Sequence, residues 1–162
     1  MTRYPLATLV ATLAVSGAAH AAVLSESNIS SADAQKLASA TVAACQAKGY
    51  NVSASVVDRA GLLKAFARAD NAGPHTIEAS RAKAFTSASA KAPTLAIMEN
   101  AQKNPAAANL ADIPGYLLLG GGVPIKAGNS VIGAIGVAGA PGGNLDAQCA
   151  DAVLEENAAL FK

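Results

Sequence analysis

Two stretches of this 162-residue chain consist of short strand-like runs split by turn residues, with no room between the runs for a crossover helix. In the first, residues 52–57 (VSASVV) and 62–68 (LLKAFAR) flank Asp58, Arg59, Ala60 and Gly61, which carry turn chemistry. In the second, residues 116–126 and 131–137 read as two or three strands around a turn at 127–130, and their glycines predict kinks and close packing. Parallel neighbours need a long crossover connection, whereas hairpins do not. The sheet is therefore predicted to be mainly antiparallel, which argues against a doubly wound fold.

Helices fill the remainder. Ser30 or Ser31 can cap a run in which Ala34, Leu37, Ala38, Thr41 and Cys45 recur at helical spacing, and Gly49 ends it, so a helix is predicted over 31–48. Residues 70–74 (DNAGP) break the chain, and Pro74 suits the first turn of a helix over 75–91 that Pro93 stops. Thr94 can cap a short helix to about Gln102, followed by an irregular surface loop up to Pro114. Asn144 or Asp146 can cap a last helix with an apolar stripe of Ala147, Ala150, Leu154, Ala158 and Phe161. The order is αββααβββα, an α+β fold with a mainly antiparallel five-stranded sheet covered by helices.

Residues 1–21 have the three parts of a cleavable signal peptide: Arg3, an apolar run over 6–15 and the small-residue exit Ala19, His20, Ala21. That run is about ten residues where a bilayer span takes roughly 20. No stable membrane insertion is expected, and export is, to the periplasm or alternatively the extracellular medium. Residues 22–162 form one domain. Loss of Arg3 balances its basic and acidic residues, and with few aromatics and no basic cluster nothing here suits nucleic acid. Cys45 and Cys149 survive processing into a disulfide-permissive compartment, one in the last turn of the first helix and the other in the first turn of the last. Antiparallel packing of those helices would bring them together as a bridge; otherwise they are two buried thiols. Their spacing excludes CxxC redox and zinc motifs.

Three tracts carry a resemblance: VVDRAGLLKAFARADNAGPHT (56–76), RAKAFT (81–86), and GGGVPI (120–125) followed by IGAIGVAG (132–139). In this order they are similar to the GlcG/HbpS-like family of heme-binding domains, related to the C-terminal domain of some corrinoid adenosyltransferases. The resemblance covers nearly all of the exported domain. It implies a profilin-like α/β/α sandwich, a tendency to symmetric homo-oligomers, and noncovalent heme binding in several members.

Once the signal is removed, His75 is the sole histidine. Heme iron needs one strong protein ligand, so a lone imidazole can serve where it could not build a zinc site. The absence of CxxCH excludes covalent attachment. The resemblance implies noncovalent heme b as the cofactor, with a corrinoid as the other tetrapyrrole. Arg68, Arg81 and Lys83 are nearby cations for propionates, Arg with the better bidentate geometry, although ordinary surface charge explains them too. Thr76 can hydrogen-bond beside the ligand or cap the helix. Met98 is a conceivable second axial ligand or a core residue. Gly136, Gly139 and Gly142 lack the spacing of a phosphate loop, and no serine has a nucleophile-elbow context. The expected function is an exported binder of heme or a related tetrapyrrole in uptake, storage or sensing. The alternatives are an enzyme, heme-dependent or acting on a small organic acid, and a cofactor-free partner-binding module. Without a paired acid–base constellation, independent organic catalysis is disfavoured.

Overall fold

The computed structural model describes residues 23–161, so the signal-peptide reading of 1–21 lies outside the described residues. The first hairpin forms as its turn chemistry dictates. Strands β1 (Ser53–Asp58) and β2 (Leu63–Arg68) pair antiparallel, Asp58 Oδ1 accepts the N–H groups of Ala60 and Leu62 at 2.9 Å each, and Gly61 takes φ +82°. Strands β3 (Gly122–Ala127) and β4 (Ser130–Ala138) form the second hairpin, and β4 pairs with β1. The sheet runs β2-β1-β4-β3, antiparallel throughout.

It has four strands, not the five expected, because residues 116–119 do not join it. Their backbone groups find other partners. Gly115 turns the chain at φ +84°, the Leu117 N–H donates to Thr86 Oγ1 at 2.8 Å, and Leu119 O accepts from Thr94 Oγ1 at 2.8 Å. Thr94 is thus not the cap predicted for the helix after it: its hydroxyl also accepts the Gly122 N–H at 2.8 Å, at the edge of β3. The Val137 N–H bonds Gly121 O, and pairing alternates from there, so Gly122 and Pro124 direct their backbone groups away from β4. Pro124 therefore forgoes no ladder bond, and the edge offers few free donors to another strand.

The helices follow the predicted order: α1 (Ser31–Gln46), α2 (His75–Ala90), α3 (Thr94–Lys103) and α4 (Gly143–Glu156). Ser30 caps α1 by accepting the Asp33 N–H at 3.0 Å. The predicted surface loop is wound into a 3-10 helix over Pro105–Asp112, started by Asn104. At α4 the N-cap is Gly142, and neither Asn144 nor Asp146 caps it. Its buried face is Asp146, Cys149, Ala150 and Val153, rotated from the predicted stripe, with Ala158 and Phe161 beyond it in a 3-10 turn.

The two faces of the sheet are chemically different. On one, Val52, Ala54, Val56, Ile125, Ile135 and Val137 pack with Leu37, Ala38 and Val153 of α1 and α4 in the main apolar core. There Cys45 and Cys149, both fully buried, are joined by a disulfide with Cα atoms 5.4 Å apart. The other face carries Ser53, Ser55, Val57, Ala134 and Gly136 against α2. Thr76 donates its proton to Gly73 O, so Ser53 donates to Thr76 Oγ1 at 2.7 Å; Ser55 likewise meets Ser80 at 2.8 Å. A Cβ on Gly136 would lie 2.0 Å from Ser80 O, so the missing side chain is what lets α2 lie so close to the strands.

Candidate functional site

His75 opens α2, as expected, and its side chain is exposed. The ring folds back over Gly73, where a Cβ would come within 2.8 Å of Cε1 and 2.9 Å of Nδ1, so the glycine makes room for this orientation. One face of α2 then runs inward at helical spacing, from His75 through Ala79 to Lys83. Opposite it stand Leu119, the end of β4 at Ala138, the turn through Gly139, Ala140, Pro141 and Gly142, and the start of α4. Between these walls lies a cavity of about 220 Å³ with His75 at its mouth and Lys83 and Asp146 at its floor.

The floor is a buried ion pair. Lys83 is 1% exposed and donates from Nζ to Asp146 Oδ2 at 2.8 Å and to Val137 O at 2.9 Å. The other Asp146 oxygen accepts the Ala140 N–H at 2.9 Å. Burial raises the Asp146 carboxyl above the ordinary aspartate value, and the hydrogen bond and charge of Lys83 and the Ala140 N–H work against that rise. The pair ties α2, β4 and α4 together at one point. The sequence offers Asp146, beside Asn144, as a cap and Lys83 as a cation for propionates or ordinary surface charge; the structure instead pairs the two in the interior. The usable signal was that Thr76, Ser80, Lys83 and Ser87 share the inward stripe of α2.

The other residues singled out from sequence are placed differently. Thr76 is fully buried against Ser53 on the sheet side and does not line the cavity. Arg68 donates from Nη2 to Ala72 O, and Arg81 pairs with Glu78 at 2.9 Å; neither reaches the cavity. Met98 is half-buried on α3. The structure therefore brings together His75 and Lys83 but not Arg68, Arg81 or Thr76. Among the described residues no group of three or more His, Cys, Asp or Glu side chains is arranged for a metal ion, and no helix is long and apolar enough to cross a membrane.

The fold is shared with solved structures. The crystal structure of HbpS is 39% identical, with a TM-score of 0.79 over 86% of this chain and 97% of that one. The Klebsiella pneumoniae protein ORFY is 28% identical, with a TM-score of 0.80 over 88% of this chain and 99% of that one. The PduOC:heme complex, 23% identical with a TM-score of 0.70 over 79% of this chain and 94% of that one, shares the fold. No curated protein matches the chain. The family model described as haem degrading protein HbpS-like matches residues 29–155, and with 39% identity to HbpS over most of both chains, this protein belongs to the HbpS-like family.

Proposed function

We propose that the protein binds heme noncovalently outside the cytoplasm, with His75 as the iron ligand, and acts in heme uptake, storage or sensing. The observation that carries this reading is the exposed His75 imidazole at the mouth of the cavity, in a chain of the HbpS-like family. The residues fit heme in kind. An accessible imidazole is the one strong ligand heme iron requires, and Leu119 and Pro141, exposed on the cavity wall, offer apolar surface beside it. A cavity of about 220 Å³ falls below the roughly 300–1,000 Å³ of sites that bury a drug-sized ligand, so the macrocycle stays at the mouth. Arg68 and Arg81, if released from Ala72 O and Glu78, would serve its propionates. Bound heme supplies redox chemistry, while the protein's part is ligation and shielding. Export is supported by the signal-like residues 1–21 and by the disulfide.

Titration of the protein with heme is expected to produce a saturable Soret shift that His75→Ala abolishes. No shift in the parent protein ends the binding claim, and an identical shift in His75→Ala ends the ligand claim. The family's description favours a second reading, in which the protein also degrades heme. Peroxide added to the heme complex then yields defined ring-opened products in the parent protein but not in His75→Ala. Bleaching at the rate of free heme would exclude it.

A further inference from the structure

α4 begins at the His75 cavity and runs out along a second, larger one of about 410 Å³. Asp151, Leu154, Glu155 and Ala158 recur at helical spacing along one wall, and Val123 and Pro124 of β3 stand opposite, with Phe161 at the end. Most of this lining is apolar, and Val123 also belongs to the main core, so the groove is where that core opens sideways to the surface. Its charges are unbalanced. Asp151 and Glu155 stand one turn apart, and among the described residues neither is in an ion pair; Lys126 lines the same groove and pairs with neither. Burial and then the charge of Glu155 raise the Asp151 carboxyl above its ordinary value, so a cation between the two carboxylates is favoured there. Pro124 and Thr94 close the β3 edge to a further strand, so an occupant enters with side chains.

The chain carries a segment of matching chemistry. Ile29 is buried and its N–H donates to Ile132 O, which anchors an arm without helix or strand; on that arm Val23 and Leu24 are 92% and 86% exposed. The base of the arm, from Ser27 to Ser30, shares a smaller hollow with Phe161, the same ring that walls the groove. The three residues from Ser27 to Leu24 reach up to about 10 Å. The Glu26–Arg59 pair at 3.3 Å holds the arm elsewhere, but both side chains are partly exposed and such pairs contribute little. Hydrolysis of the peptide bond between residues 21 and 22 adds water across it and leaves an α-ammonium on Ala22, directly before the two aliphatic side chains.

We propose that the mature N-terminus folds back onto its own chain: Val23 and Leu24 enter the groove beside Leu154 and Phe161, and the new α-ammonium lies between Asp151 and Glu155. The groove is thus an interaction surface for the chain's own processed end. In the precursor the same position is a neutral peptide group, which offers the carboxylates no charge. The proposal rests on reading residues 1–21 as a cleaved signal and does not depend on heme binding.

The test uses the exported, isotope-labelled chain, its mass fixing the first residue. NOEs from the Leu24 methyls to Leu154 and Phe161 are expected, with order parameters at residues 23 and 24 near about 0.85 rather than below about 0.6. Acetylation of the α-amine at mildly acidic pH, where the lysines stay protonated, is expected to abolish both. Asp151→Asn combined with Glu155→Gln does the same through the other partner, and Leu24→Ser through the apolar contact. Mixing labelled with unlabelled chains separates contacts within a chain from contacts between chains, and contacts found only between chains overturn the proposal in favour of a second copy. A mass that retains residues 1–21 ends the export reading and this one together. A chain beginning at Ala22 in which Leu24 stays mobile, or contacts indifferent to acetylation and to the double variant, overturn this one alone.

Discussion

At Thr41 the hydroxyl oxygen is fully buried within α1 and has no hydrogen-bond partner among the described residues. Thr41→Val keeps the shape and removes the orphan, and is expected to raise unfolding stability by about 1 kcal/mol in urea denaturation. The opposite holds for Lys83. Lys83→Met strands the Asp146 carboxylate in the interior and is expected to cost about 3–5 kcal/mol, while the double change Lys83→Met with Asp146→Leu recovers most of that loss. A double variant as unstable as the single one would show that the ammonium supports the fold by some other contact. These residues also show what sequence reading can and cannot reach. His75 at a helix start was legible because Gly73 and Pro74 punctuate the chain just before it. The partner of Lys83 was not, because Asp146 lies 63 positions away and a carboxylate in a first helical turn looks like a cap from its neighbours alone.

At the scale of elements, the seam between α2 and the sheet is the most restrictive contact. Gly136→Ala drives a methyl group into the backbone of α2 at Ser80 and is expected to cost about 3 kcal/mol, the upper end for overpacking, read as a lower denaturation midpoint. On α4 the Asp151 carboxyl is raised above its ordinary value by burial and then by the charge of Glu155 one turn on. Its folded-state affinity for a proton exceeds the unfolded one, so its contribution to stability is complete below the ordinary aspartate value of 3.8 and fades as pH rises through the raised value. Asp151→Asn should flatten that part of the stability profile, and Glu155→Gln should lower the Asp151 titration midpoint seen by NMR. Element order was readable because Gly61, Pro74 and Pro93 mark boundaries locally. The fifth strand failed because residues 116–119 are apolar enough for one, while the hydroxyls that take their backbone groups, Thr86 and Thr94, are distant in sequence.

For the whole molecule, the disulfide between Cys45 and Cys149 was legible from helix-end positions, though only tertiary packing decides that the ends meet. It joins residues separated by 104 positions. In the chain-entropy treatment such a loop is worth at most about 4.7 kcal/mol, and replacing both cysteines with alanine is expected to lower stability by about 2–5 kcal/mol. An unchanged denaturation midpoint in the double variant would mean that the α1–α4 contact holds without it. The same bond has a mechanical meaning. Pulled from its two ends, the oxidised protein can pay out only the tails outside the ring, so the entire sheet and α2 are shielded from the load. Single-molecule stretching under reducing conditions should release roughly 350 Å of additional contour, at about 3.3–3.6 Å per residue, and none of it while the bond is intact.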